Sequence, residues 1–185
     1  MIAHLSTART ATAQDIYTSD QGHTEVLFGW SHVGVSRQHG EFTTTNGTLT
    51  LFPEDLEKSS IEVTIDPSSV SSGVDVFDGH LKSQRFLNVE KYPTATFQST
   101  SIELTGETTA KVTGDLTLHG ITKSVVLDTT LTHRGAHPTA QYIDSYKGAW
   151  VAFHATTTID HQAFGVGAYS TGPITIEINT EMRRK

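Results

Sequence analysis

Short blocks in which apolar and polar residues alternate recur along the chain from about residue 16 onward. This alternation places every second side chain on one face and is typical of antiparallel strands that bury one side. Residues that favour turns, namely Gly, Pro, Asn and Asp, separate the blocks. The pattern predicts eight strands, over residues 24–36, 40–52, 61–65, 95–104, 111–118, 124–131, 149–159 and 173–182. Within the second block, Asn46-Gly47 is predicted to form a bulge or a hairpin turn.

One segment departs from this alternation. Its apolar and long side chains recur with helical spacing, at Val74, Phe77, Leu81 and Arg85. The spacing predicts a short amphipathic helix over about residues 74–88, with Ser71 or Ser72 available as its N-cap.

The strand pattern also predicts how the chain is organised. Residues 1–14 are rich in Ala, Thr and Ser and contain no Phe, Trp or Tyr, which is typical of a disordered tail. Residues 15–185 are predicted to form one domain. Eight antiparallel strands favour closure into a barrel, because a closed sheet has no exposed edge. About eight strands enclose an interior wide enough for packed side chains or for one small ligand.

Composition supports the all-β prediction and narrows the range of partners. Thr occurs 30 times among the 185 residues, and this β-branched residue suits a pleated, half-solvated sheet. The 13 Lys and Arg residues are outnumbered by 20 Asp and Glu residues, which gives a formal net charge of −7. Such a chain has no positive patch for a phosphate backbone, so nucleic acid is not expected as a partner.

The motifs of common catalytic and cofactor sites do not occur. Without Cys, the chain has no disulfide, thiolate nucleophile or Cys-ligated metal. His133 and His137 are four residues apart, but they flank Gly135 in a predicted polar loop and so do not share a helix face. There is no Gly-x-Ser-x-Gly sequence, and Gly165-Val166-Gly167 lacks the further glycines of a dinucleotide motif. No metal and no cofactor is therefore expected.

Hydropathy predicts where the protein resides. No apolar run approaches the ~18 residues of a membrane-spanning helix, and the first residues lack the apolar core of ~7–15 residues found in a signal peptide. A cytoplasmic protein without stable membrane insertion is expected. Ala11-Thr12-Ala13 has the small-x-small form of a signal-peptidase site. If the N-terminus is mis-assigned and part of a leader is missing, a periplasmic or secreted location is expected instead.

Many aromatic residues and several histidines fall at positions compatible with the barrel interior or the helix. In any barrel such residues can simply fill the core. The inserted helix favours a ligand-binding interpretation, because a helix across one mouth can line and gate an apolar cavity. The candidate pocket residues are Phe28, Trp30, His32, Phe42, Phe77, His80, Leu81, Phe86, Phe97, Leu116, Leu118 and Phe164.

Four segments in register carry a family resemblance. They are residues 23–42, with His23, Val26, Phe28, His32, Gly34, Gly40 and Phe42; residues 78–97, with Asp78-x-His80-Leu81-Lys82-Ser83-x-x-Phe86-Leu87 and Tyr92-Pro93-x-x-x-Phe97; residues 114–123, beginning Gly114-Asp115-Leu116-Thr117-Leu118; and Phe164-Gly165. Together they resemble the YceI-like family of polyisoprenoid-binding proteins over roughly residues 16–182. Where that family commonly has an Arg followed by an acidic residue before Phe-Gly, this chain has His161 and Ala163.

The resemblance implies a lipocalin-like, eight-stranded antiparallel barrel that holds a long isoprenoid chain, such as a polyprenyl phosphate or an isoprenoid quinone. The implied function is binding, transport or storage of that lipid without catalysis. Each buried CH₂ contributes about 0.8 kcal/mol, so an apolar pocket suffices to hold the tail. His80, Lys82 and Arg85 on the predicted helix are the candidates for contact with a head group.

Two other classes of function remain open. One is an enzyme that acts on such a lipid, with His32, His80 or His119 as general base and Asp115 or Asp78 as its orienting carboxylate. The other is a structural or stress-related module that binds another protein through its outer face. Barrels with an incompletely covered mouth often pair, so a homodimer is one oligomeric state that the sequence allows.

Overall fold

The computed structural model describes residues 13–167 and 172–185. Within these residues the chain forms ten strands, one α-helix and five single-turn 3₁₀ helices. The bounds are β1 Asp15–His32, β2 Ser36–Phe42, β3 Thr45–Leu51, β4 Ser60–Ile65, β5 Val70–Ser71, α1 Asp75–Lys82, β6 Ala95–Leu104, β7 Thr109–Leu118, β8 Ile121–Ala136, β9 Ala149–Ile159 and β10 Ile174–Arg184. No helix in this part of the chain is long and apolar enough to cross a membrane.

Eight of the strands in the described residues form a closed antiparallel barrel, as predicted. Their order is β1, β3, β4, β6, β7, β8, β9 and β10, and β10 pairs with β1 again to close the sheet. The other two strands lie outside this cycle, because β2 forms a hairpin with the second half of β1 and β5 pairs with β2. One end of the barrel therefore carries this hairpin and α1. We call it the helical end, and the opposite end, at the β6–β7 connection, the turn end.

The first strand is longer than predicted because it changes its partner. The alternation predicts a strand from residue 24, whereas β1 begins at Asp15. Its first residues pair with β3, its last residues pair with β2, and its register with β10 shifts between Ser19 and Thr24. This irregularity interrupts the alternation that marks a strand in the sequence. Of the predicted tail, residues 1–12 lie outside the described residues, and residues 13 and 14 precede β1 without regular structure.

The second predicted strand, residues 40–52, is in fact parts of two strands. Phe42 pairs with Val26 and Val70, but Thr45 pairs with Ile65, so the chain changes neighbours between β2 and β3. Asn46-Gly47 forms neither a bulge nor a turn. Both residues lie in regular register with β4, and the Gly47 amide donates a hydrogen bond to the Ser19 hydroxyl at 2.8 Å.

The strand predicted over residues 124–131 is also longer in the structure. It corresponds to β8, Ile121–Ala136, so His133 and Gly135 belong to a strand rather than to the predicted polar loop. The register between β8 and β9 shifts between Leu131 and His133. Because the shift interrupts the strict alternation of apolar and polar residues, the alternation does not predict that the strand continues beyond residue 131.

The helix is shorter than predicted, ending at Lys82 rather than near residue 88. Its N-cap is Val74, which makes no side-chain capping bond. Ser72 contacts the helix in another way, since its backbone amide and its hydroxyl donate to the Asp78 carboxylate at 2.7 and 2.5 Å. Beyond the helix the chain folds back on itself, with the Leu87 amide donating to the Leu81 carbonyl at 2.9 Å.

A glycine allows two neighbouring barrel strands to pack closely. A Cβ atom on Gly114 would overlap the ring of Phe97 and lie 2.6 Å from the Gln98 carbonyl oxygen. Phe97 is 7% exposed and pairs with Leu116, and its ring lies over Gly114. The Gln98 carbonyl belongs to the backbone of β6, so it cannot move aside without disturbing the pairing of β6 with β7. By contrast, a Cβ atom on Gly79 of α1 would meet no atom of the described residues within 4 Å.

An ion pair spans the irregular part of β1. His23 Nδ1 lies 3.0 Å from Asp20 Oδ2. The hydrogen bond to Asp20 is the main cause that raises the pKa of His23; partial burial opposes it, and the charges of Glu181 and Asp20 add to it. Partial burial by itself raises the pKa of Asp20, but the hydrogen bonds from His23 and Gly22 and the nearby histidines outweigh it, so that pKa is lowered.

We expect Gly114→Ala to lower the free energy of unfolding by about 1–3 kcal/mol, because the added methyl group overpacks the contact with Phe97. Gly79→Ala is the matched control and should raise it by roughly 0.8–1 kcal/mol, since Ala is the better helix former. Urea denaturation of both variants checks this. A urea midpoint of Gly114→Ala equal to that of the wild type would contradict this and show that the Phe97 ring moves aside without cost.

The Asp20–His23 pair predicts a pH-dependent difference in stability between the wild type and His23→Gln. The contribution of His23 is complete below its unfolded pKa of 6.5 and is lost as the pH rises through its higher folded value. The contribution of Asp20 is complete above 3.8 and is lost as the pH falls through its lower folded value.

The difference in melting temperature should therefore be largest between about pH 3.8 and 6.5 and shrink on both sides. His32→Gln is the control, because His32 is exposed at the end of the same strand and makes no ion pair within the described residues. A difference for His23→Gln that does not change with pH would contradict the assignment.

Candidate ligand site

A large apolar cavity of about 290 Å³ occupies the barrel interior. Its walls are the inward positions of the eight barrel strands, as β9 illustrates. Val151, Phe153, Ala155, Thr157 and Ile159 alternate along that strand and all line the cavity. Every second residue of each strand thus contributes to one continuous apolar wall.

A second cavity, of about 90 Å³, lies at the helical end. It is lined by Phe28, Trp30, Phe42, Phe77, Leu81, Phe86, Leu87, Leu118, Ile159, His161, Val166, Ile174 and Ile176. Four of these residues, Phe42, Leu118, Ile159 and Ile176, also line the large cavity. The two cavities therefore adjoin and share a wall.

Aromatic contacts attach the helix to the barrel beside the small cavity. Trp30 stacks on Phe77 of α1, with ring centroids 5.4 Å apart and an interplanar angle of 19°. Phe28 in turn lies 5.8 Å from Trp30 and 5.3 Å from Phe42. Leu81 is 8% exposed and belongs to the same hydrophobic cluster, so one face of α1 is buried against β1 and β2.

The structure places most of the candidate pocket residues in these walls. Seven line the small cavity, namely Phe28, Trp30, Phe42, Phe77, Leu81, Phe86 and Leu118. Phe97 and Leu116 line the large cavity. Phe164 is 2% exposed and packs in the cluster at the helical end without lining either cavity. Whether these residues contact a ligand stays a prediction.

Two candidates lie outside the walls. The alternation of β1 places His32 on the face of Phe28 and Trp30, but this strand projects beyond the barrel, and His32 is exposed opposite Ser36 in the hairpin. His80 is exposed on α1, next to the buried Leu81. Neither histidine lines either cavity.

The remaining head-group candidates flank the helical end without lining a cavity. Lys82 is half-buried and Arg85 is exposed. The Arg85 carbonyl accepts a hydrogen bond from the Gly167 amide at 3.1 Å, which ties the segment after α1 to the segment after β9. The contact of Lys82, Arg85 and His80 with a head group stays a prediction.

The sequence pattern overlooks His161, which the structure places in the wall of the small cavity. It lies in the 3₁₀ turn after β9 and is 2% exposed. Its Nδ1 is 2.6 Å from the Val166 carbonyl oxygen, and its Nε2 is buried with no hydrogen-bond partner within the described residues. The one signal in the sequence was that a histidine stands where the resembled family commonly has an arginine.

The residues proposed for catalysis do not come together. The Asp78 carboxylate is occupied by Ser72, whose hydrogen bonds lower its pKa. Asp115 is exposed, and the His119 ring lies 4.3 Å from the ring of Tyr92, measured between centroids. In the described ranges no hydrogen bond or ion pair joins His32, His80 or His119 to either aspartate, and no group of three or more side chains could hold a metal ion.

The closed barrel and its two apolar cavities define a lipocalin-like β-barrel. A family model described as the YceI-like domain matches residues 17–183, and the chain belongs to the YceI-like family. This confirms the resemblance seen in the four sequence segments.

Relatives and solved structures agree with this assignment. A UPF0312 protein of Pseudomonas savastanoi pv. phaseolicola (strain 1448A / Race 6) is 37% identical over 164 residues, which cover 89% of this chain and 82% of the relative. A UPF0312 protein of Pseudomonas putida (strain W619) is 38% identical over the same shares of the two chains.

Among solved structures, BcnA of Burkholderia cenocepacia superposes with a TM-score of 0.75 at 22% identity, covering 88% of this chain and 98% of BcnA. A polyisoprenoid binding domain from Saccharophagus degradans has a TM-score of 0.67 at 12% identity, covering 94% of this chain and 100% of that domain. At these identities the likeness concerns the fold.

The stacking of Trp30 on Phe77 predicts an energetic coupling between β1 and α1. In a double-mutant cycle of Trp30→Ala and Phe77→Ala, we expect a coupling of about 0.5–1.5 kcal/mol in the free energy of unfolding. Val76 is 76% exposed on the same helix, so Trp30→Ala and Val76→Ala should add to within about 0.5 kcal/mol. Additivity in the first cycle would show that the stacked pair does not hold the helix.

Proposed function

We propose that this protein binds a long isoprenoid lipid inside the barrel and transports or stores it unchanged. The observation that carries the proposal is the apolar cavity of about 290 Å³, with the second cavity adjoining it at the helical end. Its volume is close to the lower end of the range of about 300–1,000 Å³ found for small-molecule pockets. Residues from all eight barrel strands line it, so a ligand inside would be surrounded by the barrel wall.

The energetics favour an apolar tail. Burial contributes about 0.8 kcal/mol per CH₂ group, so about ten buried carbons contribute roughly 8 kcal/mol. The loss of translational and rotational freedom opposes this with an estimated 4–15 kcal/mol. A chain of several isoprene units is thus long enough to bind, while a short prenyl fragment is not. Selectivity then comes from the length and shape of the cavity.

The comparisons support lipid binding in general. The chain belongs to the YceI-like family, and the Saccharophagus degradans domain of the same fold is named for binding polyisoprenoids. A binding protein rather than an enzyme is also supported by the positions of the candidate bases. His32 and His80 are exposed outside the cavities, and His119 packs against Tyr92.

A polar end group of the lipid at the helical end has two sets of partners. The cationic side chains of Lys82 and Arg85, together with His80, flank the outside of this end. The imidazole of His161 lies inside, in the wall of the small cavity. A charged head group would remain outside with the first set, whereas an uncharged end group could enter and meet the second.

The direct test is mass analysis of protein purified without detergent. Native mass spectrometry should show an adduct in a 1:1 ratio, and organic extraction should release an isoprenoid alcohol, phosphate, quinone or quinol. An empty barrel that also takes up no added geranylgeraniol or menaquinone-4 would contradict the proposal and favour a structural role for the fold.

A pair of neighbouring threonines on β9 tests whether the lipid lies inside the barrel. Thr157 lines the large cavity, whereas Thr156 lies on the other face of the same strand. Thr157→Trp should weaken lipid binding by more than about tenfold, because displacing even two CH₂ groups costs about 1.6 kcal/mol. Thr156→Trp should bind as the wild type does. Equal affinity of the two variants in a lipid titration would place the ligand elsewhere.

A further inference from the structure

One wall residue of the small cavity has a buried polar atom that lacks a hydrogen-bond partner within the described residues. Twelve of the thirteen lining residues are hydrocarbon or aromatic side chains, and the thirteenth is His161. The residue is 2% exposed, and its Nε2 has no hydrogen-bond partner in residues 13–167 and 172–185. Buried polar atoms are nearly always hydrogen-bonded, so an orphaned one beside a cavity points to a ligand group.

The protonation pattern of the ring follows from its other nitrogen. Nδ1 lies 2.6 Å from the Val166 carbonyl oxygen, and a carbonyl oxygen can only accept. Nδ1 therefore carries the hydrogen. In the neutral imidazole, Nε2 then has a lone pair and no hydrogen, so it can accept a hydrogen bond but cannot donate one.

The backbone around His161 holds this arrangement in place. The Asp160 carboxylate accepts from the Gln162 amide at 3.0 Å at the start of the 3₁₀ turn. The Val166 amide donates to the His161 carbonyl at 3.1 Å, so the residue that binds Nδ1 is itself tied to the His161 backbone. Gly165 between them has a φ of 72°, the left-handed conformation that glycine adopts without strain.

Charge and donor capacity then define the end group that fits. The other wall residue with a polar side-chain atom is the half-buried Trp30, whose indole can donate but makes no bond to His161. A phosphate would bring a charge into this apolar space without a cation to pair it, and a quinone carbonyl would present a second lone pair to Nε2. A hydroxyl group is uncharged and donates.

We propose that His161 Nε2 accepts a hydrogen bond from a hydroxyl group at the end of the bound lipid. The preferred ligand would be a prenol or an isoprenoid quinol rather than a prenyl phosphate or a quinone. This inference rests on the proposed function, because it assumes that the isoprenoid tail fills the adjoining large cavity. With the tail in the large cavity, the end group of the lipid lies in the small cavity.

The test compares ligands that share a geranylgeranyl tail, titrated into the delipidated full chain and followed by native mass spectrometry. Geranylgeraniol should bind about tenfold more tightly than its methyl ether, which has no donor. Menaquinol-4 and menaquinone-4 form the second pair. Tighter binding of the quinol would show that a quinol hydroxyl also donates to His161. Geranylgeranyl phosphate is the charged ligand of the set and should bind less tightly than geranylgeraniol.

His161→Phe keeps a ring of similar shape but removes the acceptor. It should bind geranylgeraniol and the ether equally, with the affinity of the wild type for the ether; retained ether binding shows that the variant is folded. Thr45→Val tests the competing acceptor, because Thr45 lines the large cavity and its hydroxyl also has no partner in the described residues; it is compared only for the ratio of the two affinities. This variant should keep the tenfold preference.

Three results would overturn the inference while leaving lipid binding intact. They are equal binding within both ligand pairs by the wild type, a hydroxyl preference that is lost in Thr45→Val rather than in His161→Phe, and tightest binding of the phosphate that depends on Lys82 or Arg85. If the wild type binds none of these compounds, the proposed function fails and this inference fails with it.

Discussion

The pairing of β1 with β10 closes the barrel, and the rest of the molecule depends on it. This contact joins the first strand of the described residues to the last, so their sheet has no open edge around the cavity. Because β1 pairs with β10 along one edge, from Tyr17 to Gly29 with an interruption after Ser19, its other edge is free to pair with β3 and then with β2. The second partner carries the chain past the barrel rim and forms the platform on which α1 packs.

A closed sheet of eight strands leaves a cavity only if its inward side chains are small enough. The walls here include Gly47, Ala95, Ala155 and Thr157 among the large aliphatic residues. Large aromatic residues are concentrated instead at the helical end, where Phe28, Phe42 and Phe77 surround the small cavity. The same alternation therefore produces a dense cluster at one end and an unfilled apolar interior beyond it. Packed protein cores leave few voids larger than a water molecule, so a cavity of this size is unusual for a core.

Alternation and helical spacing are local properties, and they predicted what is local. The barrel class, the presence of the helix and the aromatic wall were all predictable from them. They could not show where β1 changes partner, because the residues around Gly22 break the pattern at that point. They also placed His32 inside, since alternation specifies the face of a strand but not how far the strand extends beyond the barrel. His161 escaped because its burial depends on a turn closed by Val166, a contact that no periodicity reports.

The helix that covers the small cavity is stable only through its contacts. An eight-residue helix such as α1 does not form on its own in water, and Val74 gives it no side-chain cap. It is held by Phe77 on Trp30, by buried Leu81 and by the bond of Asp78 to Ser72. Two of these attachments are apolar contacts with the same cavity that a ligand would enter. A lipid chain entering at this end would therefore replace contacts of the helix with contacts of its own, so that opening and filling the cavity are energetically coupled.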